Sequence, residues 1–195
     1  MKTIQTLMAG IILLTTMAAT QAQSQIEFKL TENSYSIEIE GTSNVHDWTM
    51  EAENISGTAL TQWSQNGIEG FEKVKITVPA EKLESGKRIM NNKTYDALEV
   101  KKHPNITFEL ISVSNLKASE KDFSGTATGT LKMAGGSGIM SIPFKGKVLD
   151  DSTFQVKGTF SLKMTEFGID PPTAMLGTLK TGDKITLDYT MTFKK

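Results

Sequence analysis

From residue 34 onward, apolar and polar positions alternate along the chain with a period of two. Tyr35, Ile37 and Ile39 interleave with Ser36, Glu38 and Glu40, and Val74, Ile76 and Val78 with Lys75 and Thr77. The period recurs in Met140, Ile142, Phe144, Gly146 and Val148, in Phe154, Val156, Gly158, Phe160, Leu162 and Met164, and in Ile185, Leu187, Tyr189, Met191 and Phe193. Each run predicts a half-buried strand with one polar face. Turn clusters at Thr31-Glu-Asn33, Gln65-Asn-Gly67, Asp150-Asp-Ser152 and Thr181-Gly-Asp183 separate them, so consecutive strands are expected to pair as antiparallel hairpins. The phase slips between Ala52 and Ile55 and again between Leu110 and Ile111, as bulges or bends do.

About eight one-sided strands in one small domain must bury their apolar faces together. Closing the sheet on itself also removes its exposed edges, so the pattern predicts an all-β barrel or a tight sandwich. One segment departs from it. Ser85 to Val100 carries Met90, Thr94, Ala97 and Leu98 at helical spacing with few β-branched residues, which predicts a short helix across one end of the barrel. Pro104 then marks the turn into the next strand.

The strand from Phe123 to Met133 has an apolar face of Phe123, Gly125, Ala127, Gly129, Leu131 and Met133, nearly empty at its middle. With Gly146 and Gly158, these small residues line a bore that larger ones would fill. A barrel of about eight strands is just wide enough to be packed by its own side chains or to hold one small ligand. Two explanations are open. The glycines bend strands at barrel corners while other side chains fill the space, or the bore is vacant and takes a long apolar occupant. Met90, Met133, Met140, Met164, Met175 and Met191 suit a variable apolar partner and equally suit a packed core.

Composition narrows the choice of partner. The first 22 residues have a charge at Lys2, an apolar run from Leu7 to Leu14 and small residues at Thr20 and Ala22, the pattern of a cleaved secretory signal peptide. Residues 23–195 then form a single domain, periplasmic or secreted. Without cysteine it has neither a disulfide framework nor a site for lipid attachment. A formal net charge of −1, with charges interspersed, provides no field for nucleic acid, and no second apolar run is long enough to insert in a membrane.

Candidate chemistry is sparse. The two histidines, His46 and His103, lie on different segments, and no metal site is assigned. His46-Asp47 offers a hydrolytic pair or, more simply, a turn histidine beside a carboxylate. There is no nucleophile elbow, phosphate-binding loop or paired-histidine helix, and no catalytic residue is assigned. Gly135-Gly-Ser-Gly138 reads as a hairpin turn, Trp48 and Trp63 as core rather than sugar platforms, and Asn54, Asn92 and Asn105 begin glycosylation triplets.

In order along the chain, Ser43-Asn-Val-His46, Leu83-Glu-Ser-Gly86, Glu99-Val-Lys-Lys-His-Pro-Asn-Ile-Thr-Phe108, Gly125 to Met133 and Glu166-Phe-Gly168 resemble the pattern of the YceI-like family. The run ending at Phe108 is the most specific. Met164 and Glu166 stand where that family often has arginine and aspartate, Gly136-Ser-Gly138 replaces its Gly-Val-Thr turn, and Met90-Asn-Asn-Lys93 replaces an Arg-Asp helix start. The resemblance implies an extended, lipocalin-like antiparallel barrel, exported, enclosing an isoprenoid chain such as a polyprenyl phosphate or a quinone. On that basis the expected function is non-enzymatic binding or carriage of an isoprenoid or fatty-chain lipid by a monomer or homodimer. Its tail would lie along Phe108, Ala127, Gly129, Leu131, Ile142, Phe144, Phe160, Leu162 and Met164, and an anionic head would meet Lys87, Arg88, Lys101 or Lys102. The rival readings are a filled-core envelope interaction module without ligand, and an enzyme using His46 and Asp47.

Overall fold

A computed structural model describes residues 24–64 and 67–195. Residues 1–22, expected to be a signal peptide, and Gln65 and Asn66 of an expected turn lie outside the described residues. The alternating runs become strands β1 (Ser24–Ser43), β2 (Trp48–Ala52), β3 (Ser56–Ser64), β4 (Gly67–Pro79), β5 (Leu83–Glu84), β6 (Asn105–Ala118), β7 (Asp122–Met133), β8 (Gly136–Asp150), β9 (Thr153–Lys163), β10 (Thr173–Ala174) and β11 (Leu179–Lys194). One helix, α1 (Arg88–Ala97), falls inside the segment with helical spacing.

Eight strands close a ring in the order β1, β3, β4, β6, β7, β8, β9, β11, and β11 returns to pair with β1. The fold is therefore the expected barrel of about eight antiparallel strands with a short helix at one end, and β2, β5 and β10 are additions to it. Strand direction alternates, so every connection falls at one of two ends. Short turns after β6 and β8, and both chain ends, lie at one end. The long connections 44–55, 80–104 and 164–178 lie at the other.

Two expected turns are bulges instead. Thr31-Glu-Asn33 lies inside β1, where Asn33 adopts φ 58 and the pairing with β11 shifts between Leu30 and Tyr35. Thr181-Gly-Asp183 lies inside β11, opposite the shift between Gly41 and Ser43. A left-handed residue bends a strand without ending it, and β1 uses the bend to pass from β3 to β2 while keeping β11 beside it. Conversely, the slip after Ala52 is a true break between β2 and β3, whereas that at Ile111 is a bulge against β7. The turn before β8 is Ala134 and Gly135, both at positive φ, and Gly136 and Gly138 already belong to the strand.

The end with short turns is closed by aromatic rings. Phe28 stacks on Trp63 at 5.1 Å and meets Phe154 edge-on at 4.9 Å; Phe154 stacks on Phe193 at 5.1 Å. Phe71 joins Phe123, Phe144 and Phe154 within 6.1 Å. Such offset and edge-on pairs add to the burial of the rings themselves.

Candidate functional site

The glycines of the inward faces are not empty places. Opposite Gly125 stands Phe144, opposite Gly146 Phe123, opposite Gly158 Tyr189 and opposite Gly41 Trp48. In each case a Cβ on the glycine would lie within 3.0 Å of the facing ring, and on Gly129 it would lie 2.4 Å from the ring of Phe108. The expectation that these residues are themselves the vacant lining is thus corrected: each glycine is a seat for an aromatic ring of the neighbouring strand. The seating still opens the barrel. A ring lying over a glycine is tucked against the wall, and one standing upright would cross the bore.

What remains along the axis is a cavity of about 690 Å³. Its wall includes Phe108, Ala127, Leu131, Ile142, Phe144, Phe160, Leu162 and Met164 from the expected set, but not Gly129, which Phe108 covers. The opposite wall comes from strands whose alternation was legible but unassigned to a site, through Ile37, Ile39, Met50, Val74, Ile76, Leu187 and Met191. The bore is therefore not filled by the protein's own side chains. Tyr189 faces it with a phenol that burial pushes up to about 12.

The long connections form its mouth. Helix α1 lies across this end and lines the cavity with Met90, Thr94, Ala97 and Leu98, the residues at helical spacing. A polar clamp fixes it. The Asn91 side chain is buried, accepts from the Ser85 N–H at 2.9 Å and the Ser85 hydroxyl at 2.6 Å, and donates to Glu84. The Tyr95 hydroxyl donates toward the Leu83 carbonyl at 3.1 Å and Glu84 Oε1 at 2.9 Å. Burial, then this hydrogen bond to Glu84, pushes the Tyr95 phenol up to about 12. Across the mouth, Asn44 ties the 44–47 loop to the segment before β11, its amide donating to the Thr178 carbonyl at 2.8 Å and its oxygen accepting from the Lys180 N–H at 2.9 Å. Nothing in the periodicity marked either clamp; only the polar residues flanking the helix, Glu84 and Ser85, hinted at one.

The charges that line the cavity are of one sign. The charged side chains lining the cavity are Lys87, Arg88 and Lys93, with no acidic residue among them. Lys93 was not anticipated. Lys101 and Lys102, beyond the end of α1, are exposed and are not among the residues lining the cavity, and Lys102 pairs with Glu99 at 3.0 Å. His46 is exposed at the rim, its Nδ1 2.8 Å from the Asp47 carbonyl oxygen rather than at the carboxylate. His103 packs over the Ala134–Gly135 turn, where a Cβ on Gly135 would meet its ring at 2.8 Å. Trp48 donates to the Thr42 carbonyl at 3.0 Å and Trp63 stacks on Phe28, so neither ring is a free platform. No described helix is long and apolar enough to cross a membrane.

The fold recurs in solved structures at low sequence identity. A polyisoprenoid-binding domain from Saccharophagus degradans, implicated in plant cell wall breakdown, superposes with TM-score 0.68 at 11% identity over 86% of this chain and 97% of its own. BcnA of Burkholderia cenocepacia gives TM-score 0.65 at 13% identity, covering 84% and 98%. A YCEI protein of Campylobacter jejuni gives 0.57 at 19%, covering 74% and 82%. No curated protein matches the sequence. The YceI-like domain matches residues 18–193, nearly the whole length, and the chain belongs to the YceI-like family.

Proposed function

We propose that the protein is a non-enzymatic carrier that holds one amphipathic isoprenoid or fatty chain in the barrel, its tail toward the aromatic floor and its head at the mouth. The observation that carries this reading is the cavity of about 690 Å³, closed by rings at one end and lined with cations at the other. At roughly 24 cal/mol per Å³, apolar space left dry is costly, so the deep part of the bore favours an occupant. Water is a poor occupant of the deep part, because each buried molecule needs two to four polar partners and the walls there are apolar. An apolar chain removes the cost and gains about 0.8 kcal/mol per methylene buried.

Burial of this kind is strong but undirected, so chains of several lengths fit. Lys87, Arg88 and Lys93 favour an anionic head such as a phosphate, through charge-assisted hydrogen bonds. The Saccharophagus degradans neighbour, described as polyisoprenoid-binding, supports an isoprenoid tail. Residues 1–22 are read as a signal peptide, so that the mature protein begins at Gln23 and works outside the cytoplasm. His46 and Asp47 are not read as catalytic, since the imidazole meets a backbone carbonyl and not the carboxylate that would orient a base.

The test is native mass spectrometry of the protein purified from its own envelope fraction. A carrier shows added mass from a bound lipid, on a chain beginning at Gln23. A ligand-free chain that also fails to take up a polyprenyl phosphate offered in detergent would overturn the reading.

A further inference from the structure

Large apolar side chains are rarely left fully in water, and single ones scattered over a surface need no explanation. Here they are not all scattered. Among the described residues six stand exposed, and three of them, Val45, Ile89 and Leu176, at 66%, 75% and 107% exposure, sit on the three long connections around the mouth. Ile111, Ile139 and Leu149 lie singly on β6 and β8. Two features mark the rim arrangement as built. Leu176 is held at φ 55, a left-handed backbone that a leucine adopts only at a cost, and there it projects away from the protein. Asn44, beside Val45, bonds both Thr178 and Lys180, so the loops bearing Val45 and Leu176 are fixed to one another.

Cations accompany these side chains. Ile89 follows Lys87 and Arg88 directly, and Lys93 is one turn further along α1. Among the described residues, no other side chain hydrogen-bonds or ion-pairs with these three cations, and all are exposed. An exposed apolar rim with three free cations beside Ile89 suits the interfacial layer of a membrane, where acyl chains take the first and phosphates the second.

We propose that the mouth docks on an anionic lipid surface, with Val45, Ile89 and Leu176 entering the interfacial layer and Lys87, Arg88 and Lys93 meeting head-group phosphates. This rests on the carrier reading and gives it a loading route: a chain drawn from the bilayer enters the bore without crossing water.

The experiment is co-sedimentation of the mature chain with vesicles of phosphatidylcholine alone and of phosphatidylcholine mixed equally with phosphatidylglycerol. Wild type should sediment with the mixed vesicles, less so as salt is raised, and the double variant Val45→Ser, Leu176→Ser should bind about tenfold more weakly. The variant should still take up N-phenylnaphthylamine from vesicle-free buffer as wild type does, which shows that it is folded and that its bore is intact. Wild type left in the supernatant with both vesicles, or a double variant that sediments like wild type, overturns the proposal. So does a dimer that the same substitutions dissolve without any vesicle binding, which would assign the rim to a second copy of the chain. Vesicle binding by a wild type that takes up no N-phenylnaphthylamine would uphold docking and count against the carrier reading instead.

Discussion

Ala127→Phe separates a bore that holds a ligand from one that does not. Ala127 lies on β7 between its register partners Val113 of β6 and Ile142 of β8, and all three line the cavity. Because it already carries a Cβ, a larger side chain grows into the bore and not into the wall. A cavity of roughly 150 Å³ holds benzene, so the added ring takes on the order of 100 Å³, a minor share of the 690 Å³ available. Filling that much void regains about 2.4 kcal/mol at 24 cal/mol per Å³, against about 1–3 kcal/mol of packing strain. The ligand-free variant should therefore unfold in urea within about 1 kcal/mol of wild type. Binding should suffer far more. A ring that displaces about five methylenes forfeits about 4 kcal/mol, roughly a thousandfold in affinity, and a chain that slides toward the mouth recovers part of it. Displacement of N-phenylnaphthylamine by a polyprenyl phosphate should accordingly weaken by between about ten- and a thousandfold. If the variant is as stable as wild type and binds the lipid equally well, the tail does not lie in the barrel.

Replacing Lys87 and Arg88 together by glutamine should weaken a phosphate-headed chain by about 1.5–3 kcal/mol, read by isothermal titration, and leave the corresponding alcohol unchanged; equal losses for both would remove the head-group role. Gly129→Ala should destabilise by about 1–3 kcal/mol in urea, since its Cβ would sit 2.4 Å from the Phe108 ring and 2.6 Å from the fixed Glu109 carbonyl oxygen. Phe123→Ala should cost about 3–5 kcal/mol by opening the aromatic floor and unseating the ring over Gly146, and a smaller loss would show that the floor collapses to fill the gap. Burial raises the Tyr189 phenol to about 12 and so favours the neutral form in the folded protein. Its contribution is complete below the unfolded value near 10 and is lost as pH rises toward about 12. Urea midpoints should fall across that window, and less steeply in Tyr189→Phe.

The barrel was legible because burial on one face writes itself into every second residue, as in Ile185, Leu187, Tyr189, Met191 and Phe193. The helix at the mouth was legible for the matching reason, from Met90, Thr94, Ala97 and Leu98. Turn residues were less reliable, since Asn33 and Gly182 satisfy a bulge as well as they satisfy a hairpin, and only the partner strand decides between them. The small inward residues left two explanations open, and the structure joins them: the glycines seat rings against the wall while the bore stays vacant. Period shows that Gly125 and Gly129 point inward but cannot show which ring of the neighbouring strand lies over them, because that depends on register. For the same reason Lys101 and Lys102 looked equivalent to Lys87 and Arg88: distance along the chain past a helix does not say on which side of it a side chain emerges.

Closure of the ring by β1 and β11 ties together strands from opposite extremes of the polypeptide. During synthesis, the first strand must therefore wait for nearly the last residue before its partner exists, so a nascent or prematurely terminated product is left with two raw edges. A chain built this way assembles late and all at once, and a stop codon anywhere before Lys184 should yield a sticky, protease-sensitive fragment and no smaller working barrel.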